Sequence, residues 1–224
     1  MKFYLSKILM LLTRRPTKIY PTLRAHFLFY WVHWLSRFIY GAHSGVILGE
    51  NTRIQTLTGL FAERPDSQIT IGEQSVIYEN AVVEAYAHGR IEIGAASVLG
   101  DIRIVSRKSI KIGARFLSSW NVFIQDFDPH PVSPDLRAIQ VHNICANFRP
   151  RFNSQMQSKE LDWTFPTAEV EIGDDVWVGA NVTILKGARI GSGCIVASNA
   201  VVTSGIYPAR SILAGNPAKV VKEV

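Results

Sequence analysis

A parallel β-helix assembled from hexapeptide repeats is the fold class this sequence predicts, and three observations predict it. Between Ile172 and Thr203 an aliphatic residue recurs every six positions: Ile172, Val178, Ile184, Ile190, Val196 and Val202. The fifth position of each hexad is small or modest in size: Val176, Val182, Ala188, Cys194 and Ala200. An Ile-Gly dipeptide recurs at Ile71, Ile93, Ile112, Ile172 and Ile190, with spacings of 22, 19, 60 and 18 residues. A period of six is neither helical nor the alternation of a lone strand, and short fixed self-similarity marks a stacked solenoid. Each hexad makes one flat side of a coil and three make a turn, so 18 residues is the bare coil. The aliphatic residue points inward onto its counterpart in the next coil, and the small fifth residue lets the corner close.

Residues 1–45 are set apart as a helical, basic arm. Lys2, Lys7, Arg14, Arg15, Lys18, Arg24 and Arg37 are basic, and no acid precedes Glu50. Aromatic residues crowd the stretch from His26 to Tyr40. The apolar run Phe27–Val32 stops at His33, far short of the roughly 20 residues a membrane span needs. The run Ile8–Leu12 is also short and no small-residue cleavage site follows it, so a signal peptide is not expected. A helical reading puts Leu5, Ile8, Leu11 and Leu12 on one side, with Pro16 and Pro21 as breaks. Two roles fit: an arm packed on the end of the coil stack or on a neighbouring subunit, and a basic amphipathic surface resting on anionic lipid. The two are compatible.

The coil domain is expected over residues 46–224. Leu48 and Ile54 open a first turn, and residues 61–68 leave the pattern. Ile71, Ile77 and Val83 follow, then Ile93 and Leu99, then Ile112, Ser118 and Ile124. The spacings of 22 and 19 are coils with small bulges. The spacing of 60 holds one long excursion, residues 131–168, with Pro131, Pro134, Pro150 and Pro166 and an aperiodic polar stretch from Asn147 to Glu160. Loops of this length inside a compact domain are usually functional or disordered. This one is read as a lid or acceptor-binding wall, with subunit packing as the alternative.

The chain has 224 residues, 47% of them hydrophobic, and a net charge of +6. The composition is that of a globular protein of one domain plus an arm. Its cysteines, Cys145 and Cys194, lie far apart with no metal-like spacing, and Cys194 falls at an inward position as plain core. No disulfide framework is indicated, and a reducing cytoplasm fits. The positive charge sits in the arm without a recognition motif, so nucleic acid is not the expected partner.

The chemistry converges on residues 124–137, IQDFDPHPVSPDLR. Taking a proton from a weakly acidic group near neutral pH needs a base titrating in that range and a partner that fixes the base's tautomer. Among the six histidines, His130 has a coil edge beside it and the flanking carboxylates Asp126 and Asp128 as candidate orienters. The hexads, this histidine-proline motif and the terminal ILAGNPAKVVK from Ile212 to Lys222 resemble the hexapeptide-repeat acyltransferases, above all the sugar and polysaccharide O-acetyltransferases. The resemblance covers roughly residues 46–222. It implies a left-handed β-helix, a homotrimer, and acetyl-CoA as donor substrate with no metal. It also implies that His130 is the general base.

The same resemblance places other residues. Trp177, in DDVWVGAN, matches a tryptophan beside the active site, and it is a candidate for both acceptor and cofactor contact. Ala180 matches the backbone N–H that holds the thioester oxygen. Ser198 and Thr203 match positions lining the pantetheine groove, and Lys219 and Lys222 match basic residues near the nucleotide phosphates. Asn121 and Asp101 complete the acceptor-side candidates, Asn121 having a turn-closing role as its alternative. Here the sequence departs from the sugar-specific enzymes: Arg103, Arg107, Lys108 and Lys111 suggest a basic wall suited to an anionic acceptor.

The activity expected is therefore acetyl-CoA-dependent O-acetylation of a cell-surface glycan, of capsule or lipopolysaccharide type, or its precursor. It would take place in the cytoplasm or at the inner face of the membrane. One rival is an N-acetyltransferase of an amino-sugar nucleotide. A rival of another class is a non-catalytic β-helix used for assembly, whose metal-binding relatives use histidine pairs absent from this sequence.

Overall fold

The computed structural model describes residues 19–41, 45–147 and 164–224, with helix side chains from Tyr30 onward. The expected helical face at Leu5–Leu12 and the polar stretch after Asn147 lie outside the described residues.

The coil domain is a three-sided prism. Its strands form three sheets of seven, eight and six members. The coil-to-coil pairings are parallel throughout, and the C-terminal strand alone turns back. The stacked inward positions are those the hexads predict. On the first face Leu48, Ile71, Ile93, Ile112, Ile172, Ile190 and Tyr207 run in register. On the third, Leu60, Val83, Ile104, Ile124, Ile184 and Val202 do so. Nearly all of them are fully buried. Apolar area stacked this way supplies most of the folding free energy, at roughly 25 cal/mol per Å². A single coil has no partner for its inner row, so the coils stabilise one another.

The second face carries one polar break in its inner row. Ile54, Ile77, Leu99, Val178, Val196 and Leu213 surround Ser118, which is 5% exposed. The reason is one coil earlier. Inward positions normally stand six apart, but Leu99 is followed by Ile104 after five, so the corner at Gly100 and Asp101 is one residue short. The Gly100 N–H there donates to the Ser118 hydroxyl at 2.9 Å, where its counterparts on other coils donate to a backbone carbonyl. A Cβ on Gly100 would meet the Ser119 carbonyl oxygen at 2.8 Å.

Insertions gather at one edge, between the third face and the first. They comprise the turn at residues 63–67, the bulges at 86–89 and 106–108, and the long excursion. The 22-residue coil is thus a bare coil with a bulge, as expected. The 19-residue coil combines a bulge with the shortened corner.

A helix, α1, Ile19–Gly41, precedes the first coil and packs on its strands. It supplies groups that the end coil would otherwise leave unpaired. His33 Nδ1 accepts the Ile54 N–H and the Tyr40 hydroxyl accepts the Leu60 N–H, both at 3.3 Å. Arg37 donates to the Thr52 carbonyl at 3.3 Å, and the Ser36 hydroxyl lies 2.9 Å from the Thr56 carbonyl. An open sheet edge is a liability that proteins cover, and α1 covers this one. At the other end the final strand, Ala218–Glu223, folds back antiparallel on Ser211–Gly215.

The excursion is not one irregular loop. It contains a second helix, α2, Pro134–Asn147. Its two stems pair where they leave and rejoin the coil: Phe127 bridges Thr167, Asp128 N–H donates to the Pro166 carbonyl, and Ala168 N–H donates to the Asp126 carbonyl. Phe127, Val105 and Tyr86 form a small second core there, with Phe61, Phe123 and Phe165 against it. Among the described residues no helix is long and apolar enough to cross a membrane.

Candidate active site

His130 is exposed on the stem of the excursion. Its Nδ1 lies 2.9 Å from Oε1 of Gln140, which is 7% exposed on α2. The amide nitrogen of Gln140 donates to the Pro129 carbonyl at 3.2 Å. That bond fixes the amide, so Oε1 faces the ring as an acceptor and Nδ1 must carry the hydrogen. Nε2 is left with its lone pair, which is what a general base needs.

The partner of the imidazole is thus Gln140, and neither carboxylate expected in that role contacts it. Asp126 is fully buried. Its carboxylate accepts the Ser106 O–H at 2.6 Å and the N–H groups of Arg107, Lys108 and Ser109 at 2.8, 2.9 and 2.7 Å. Four donors saturate it, and it serves to hold the bulge of the preceding coil. Asp128 faces Lys186 at 3.3 Å.

The other sequence-derived residues fall into two groups. Trp177 is exposed on the second face, in an outward column that runs Val76, Val98, Leu117, Trp177, Ile195, Ile212, Lys222. The column ends on cations because of a bulge. Lys222 pairs with Ile212 and Lys219 with Ala214, with the register shifting between them. Without that extra residue the two lysines would point to opposite sides of the strand. Beside the column runs the edge between the second and third faces. Asn121, Asn181 and Asn199 stack there with φ of 55°, 58° and 64°. Asn121 donates to Asn181 at 2.9 Å and Asn181 to Asn199 at 3.3 Å. Asparagine tolerates that left-handed backbone, so this ladder gives Asn121 a corner-closing role. Ala180 and Ser198 lie on the same edge, and the Ala180 N–H donates to the Ser198 hydroxyl at 3.1 Å. An oxyanion can use that N–H only by sharing it or displacing the hydroxyl.

The shortened corner leaves a notch in this edge. It encloses about 400 Å³ and is lined by Tyr78, Glu79, Asn80, Asp101 and the exposed Trp120, with Val98 and Leu117 as its floor. Val98 and Leu117 also belong to the outward column, so notch and column are continuous. Asp101 therefore lies in a cleft offering carboxylates, an amide and aromatic rings.

Thr203 stands on a different edge, the one that carries His130, and its carbonyl accepts the Tyr207 hydroxyl at 3.2 Å. In a single chain the imidazole and the column of Trp177 occupy separate sides of the prism.

Two of the four residues of the basic wall are paired with acids. Arg103 makes two bonds to Glu84, at 3.1 and 2.8 Å, and Lys108 lies 3.6 Å from Glu169. Arg107 instead lays its guanidinium over the Phe165 ring at 3.7 Å, with Phe127 at 5.6 Å. Burial is the main cause that holds its pKa below the ordinary arginine value. Among the described residues no group of three His, Cys, Asp or Glu stands close enough to hold a metal.

The prism of stacked hexapeptide coils is the feature that comparison with known proteins addresses. Residues 169–204 match the model described as bacterial transferase hexapeptide (six repeats). The chain is 31% identical over 161 residues to the putative lipopolysaccharide biosynthesis O-acetyl transferase WbbJ of Escherichia coli, covering 71% of this chain and 74% of the relative. It is 30% identical over 178 residues to a probable acetyltransferase of Mycobacterium tuberculosis, covering 79% of this chain and 49% of that one, so it spans about half of that relative's length. In fold it is similar to a variant of AntD, an N-acyltransferase from Bacillus cereus solved with dTDP and Coenzyme A, at a TM-score of 0.56 and 16% identity, covering 79% and 82% of the two chains. The chain belongs to the hexapeptide-repeat transferase family, and it is an acyltransferase.

Proposed function

We propose that this protein moves an acetyl group from acetyl-CoA to a hydroxyl of a cell-surface glycan or its precursor, with His130 as the general base. The observation that carries the reading is the locked imidazole: Gln140 holds Nδ1–H and leaves the lone pair on Nε2 of an exposed side chain. The acceptor hydroxyl attacks the thioester carbonyl carbon while Nε2 takes its proton. The tetrahedral intermediate then collapses, the C–S bond breaks, and the proton passes from the imidazolium to the departing CoA thiolate. The column from Trp177 to Lys222 suits the donor, an apolar strip ending on two cations for phosphate. The notch with Asp101 suits the sugar.

The site is completed between copies in a homotrimer. His130 and Thr203 lie on one edge and Trp177, Ala180 and Ser198 on another side, so one groove holds all of them only when two chains meet. Peripheral contact of residues 1–40 with an anionic membrane belongs to the same reading.

The test is thiol release from acetyl-CoA against a panel of envelope sugars and sugar nucleotides, with hydroxyl and amine acceptors both included. His130→Ala should lower turnover by about 10²–10⁴ and leave acetyl-CoA binding almost unchanged. Near wild-type turnover in a normally melting variant rules out the base assignment.

A further inference from the structure

The outer side of α1 presents a surface the first coil does not use. Tyr30, Trp31, Trp34 and Phe38 are 55%, 53%, 64% and 67% exposed. At 3.6 residues per turn they share an arc of about 100°. Trp34 and Phe38 stack with ring centroids 6.2 Å apart, and Trp31 meets Trp34 edge-on at 6.2 Å. His33, Ser36 and Tyr40 face the coil instead. The four exposed rings are thus a coherent face rather than scattered residues, and such faces mark interaction sites.

Charge indicates the partner. Seven of the 24 basic residues and none of the 18 acids fall before residue 50, so the rest of the chain carries one more acid than base. The whole positive surplus belongs to the segment that holds the aromatic face. Tryptophan and tyrosine settle at the headgroup level of a bilayer, and lysines and arginines in the same stretch of sequence are drawn to anionic lipid.

We infer that the aromatic face of α1 docks on an anionic bilayer surface, and that this makes the acceptor a saccharide carried on a membrane lipid. The second half rests on the glycan reading above. α1 packs on the first coil, and the notch is lined by residues of the second, third and fourth coils. Coils stack at about 4.8 Å, so the notch begins roughly one and ends roughly three spacings beyond the first coil. α1, lying between that coil and the bilayer, adds about 10 Å, which puts the notch about 15–25 Å from the docked face. A saccharide of a few units reaches that height while its lipid stays in the bilayer.

The experiment uses the full chain and vesicles of phosphatidylcholine with one quarter phosphatidylglycerol. The wild type should float with them at low salt, less at high salt, and not with phosphatidylcholine alone. A triple variant, Trp31→Ser with Trp34→Ser and Phe38→Ser, should partition about tenfold more weakly, while its melting and acetyl-CoA binding stay at wild-type values. Equal flotation of the triple variant overturns the aromatic docking. So does a wild type that fails to float while the triple variant falls to a smaller oligomer, which assigns the face to subunit packing. For the acceptor, radiolabelled acetyl-CoA is incubated with the protein and Escherichia coli membranes, followed by solvent extraction. Label in the organic phase, lost with His130→Ala, supports a lipid-carried saccharide. Label confined to water-soluble glycan overturns it. Label in neither phase removes the lipid-carried acceptor together with the glycan reading, whereas vesicle docking stands or falls on flotation alone.

Discussion

At the scale of single residues, one side chain that reads as catalytic is structural, and a residue ten positions beyond the histidine is its partner. Asp126 and Asp128 are the carboxylates nearest His130 in sequence, which is why a linear reading selects them. Asp126 is instead enclosed by four donors. Asp126→Asn replaces an acceptor oxygen with an amide donor and strands at least one of those N–H groups, costing about 1–3 kcal/mol each. Thermal melting should show that loss. An orienter of the imidazole would have shown normal melting with a depressed rate. Gln140 is the opposite case. Gln140→Ala frees the ring and should lower turnover about ten- to a hundredfold, the scale known for the outer partners of metal-binding histidines. Gln140→Glu sets a negative charge against the ring, favours the imidazolium and raises its pKa. The rate must then rise with pH at a higher pH than in the wild type. A merely structural glutamine would change melting and leave that limb in place.

Elements differ in how plainly they can be read. The coils after Val170 are legible hexad by hexad because nothing interrupts them. From Val46 to Gln125 the same inward residues are present, but bulges at one edge and a missing residue at Gly100–Asp101 shift the count. Ser118 is the clearest example. It occupies an aliphatic position, and only the Gly100 N–H of the preceding coil explains it. α2 escaped because its polar, proline-led sequence has no strong apolar face, so Gln140 was not a candidate from sequence. The capping role of α1 was one of two expected roles, yet the bonds that make it were not foreseeable. One of them carries a pH dependence. His33 accepts the Ile54 N–H through Nδ1 and so must be neutral. Burial first, then Arg37 and Arg53, hold its pKa below the ordinary histidine value. Above about pH 6.5 the imidazole is neutral in folded and unfolded chains alike. As the pH falls from there toward the lower folded value, the unfolded chain takes up a proton that the folded one does not, and the cap loses stability. Hydrogen exchange at the Ile54 amide, corrected for its intrinsic rate, should lose protection from pH 7 to pH 5.5 in the wild type. His33→Gln, which has an acceptor that does not titrate, should show no such loss.

For the whole molecule, the decisive question is where one site ends and the next begins. A three-sided prism with His130 on one edge and the column of Trp177 on another side has two choices. Either the column of Trp177 serves some other purpose, or a second copy brings its column to the base. The two are separable without knowing the acceptor's binding mode. Take one chain with His130→Ala and another with Trp177→Ala and Lys219→Glu, each nearly inactive alone. The first keeps the column of Trp177 and the second keeps the imidazole of His130. Co-expressed in equal amounts and assembled at random into closed rings, about a quarter of the interfaces join an intact base to an intact column, so about a quarter of wild-type turnover should return. If each site lies within one chain, every site in the mixture holds one lesion and nothing returns. Light scattering on the same samples supplies the control, because restored turnover requires an oligomer. A monomer at micromolar concentration that nevertheless turns over acetyl-CoA at its full rate would remove the shared site and leave His130 to work with groups of its own chain. Mixing after purification adds one further expectation. With a site shared between two copies, recovery should appear only as fast as the copies exchange.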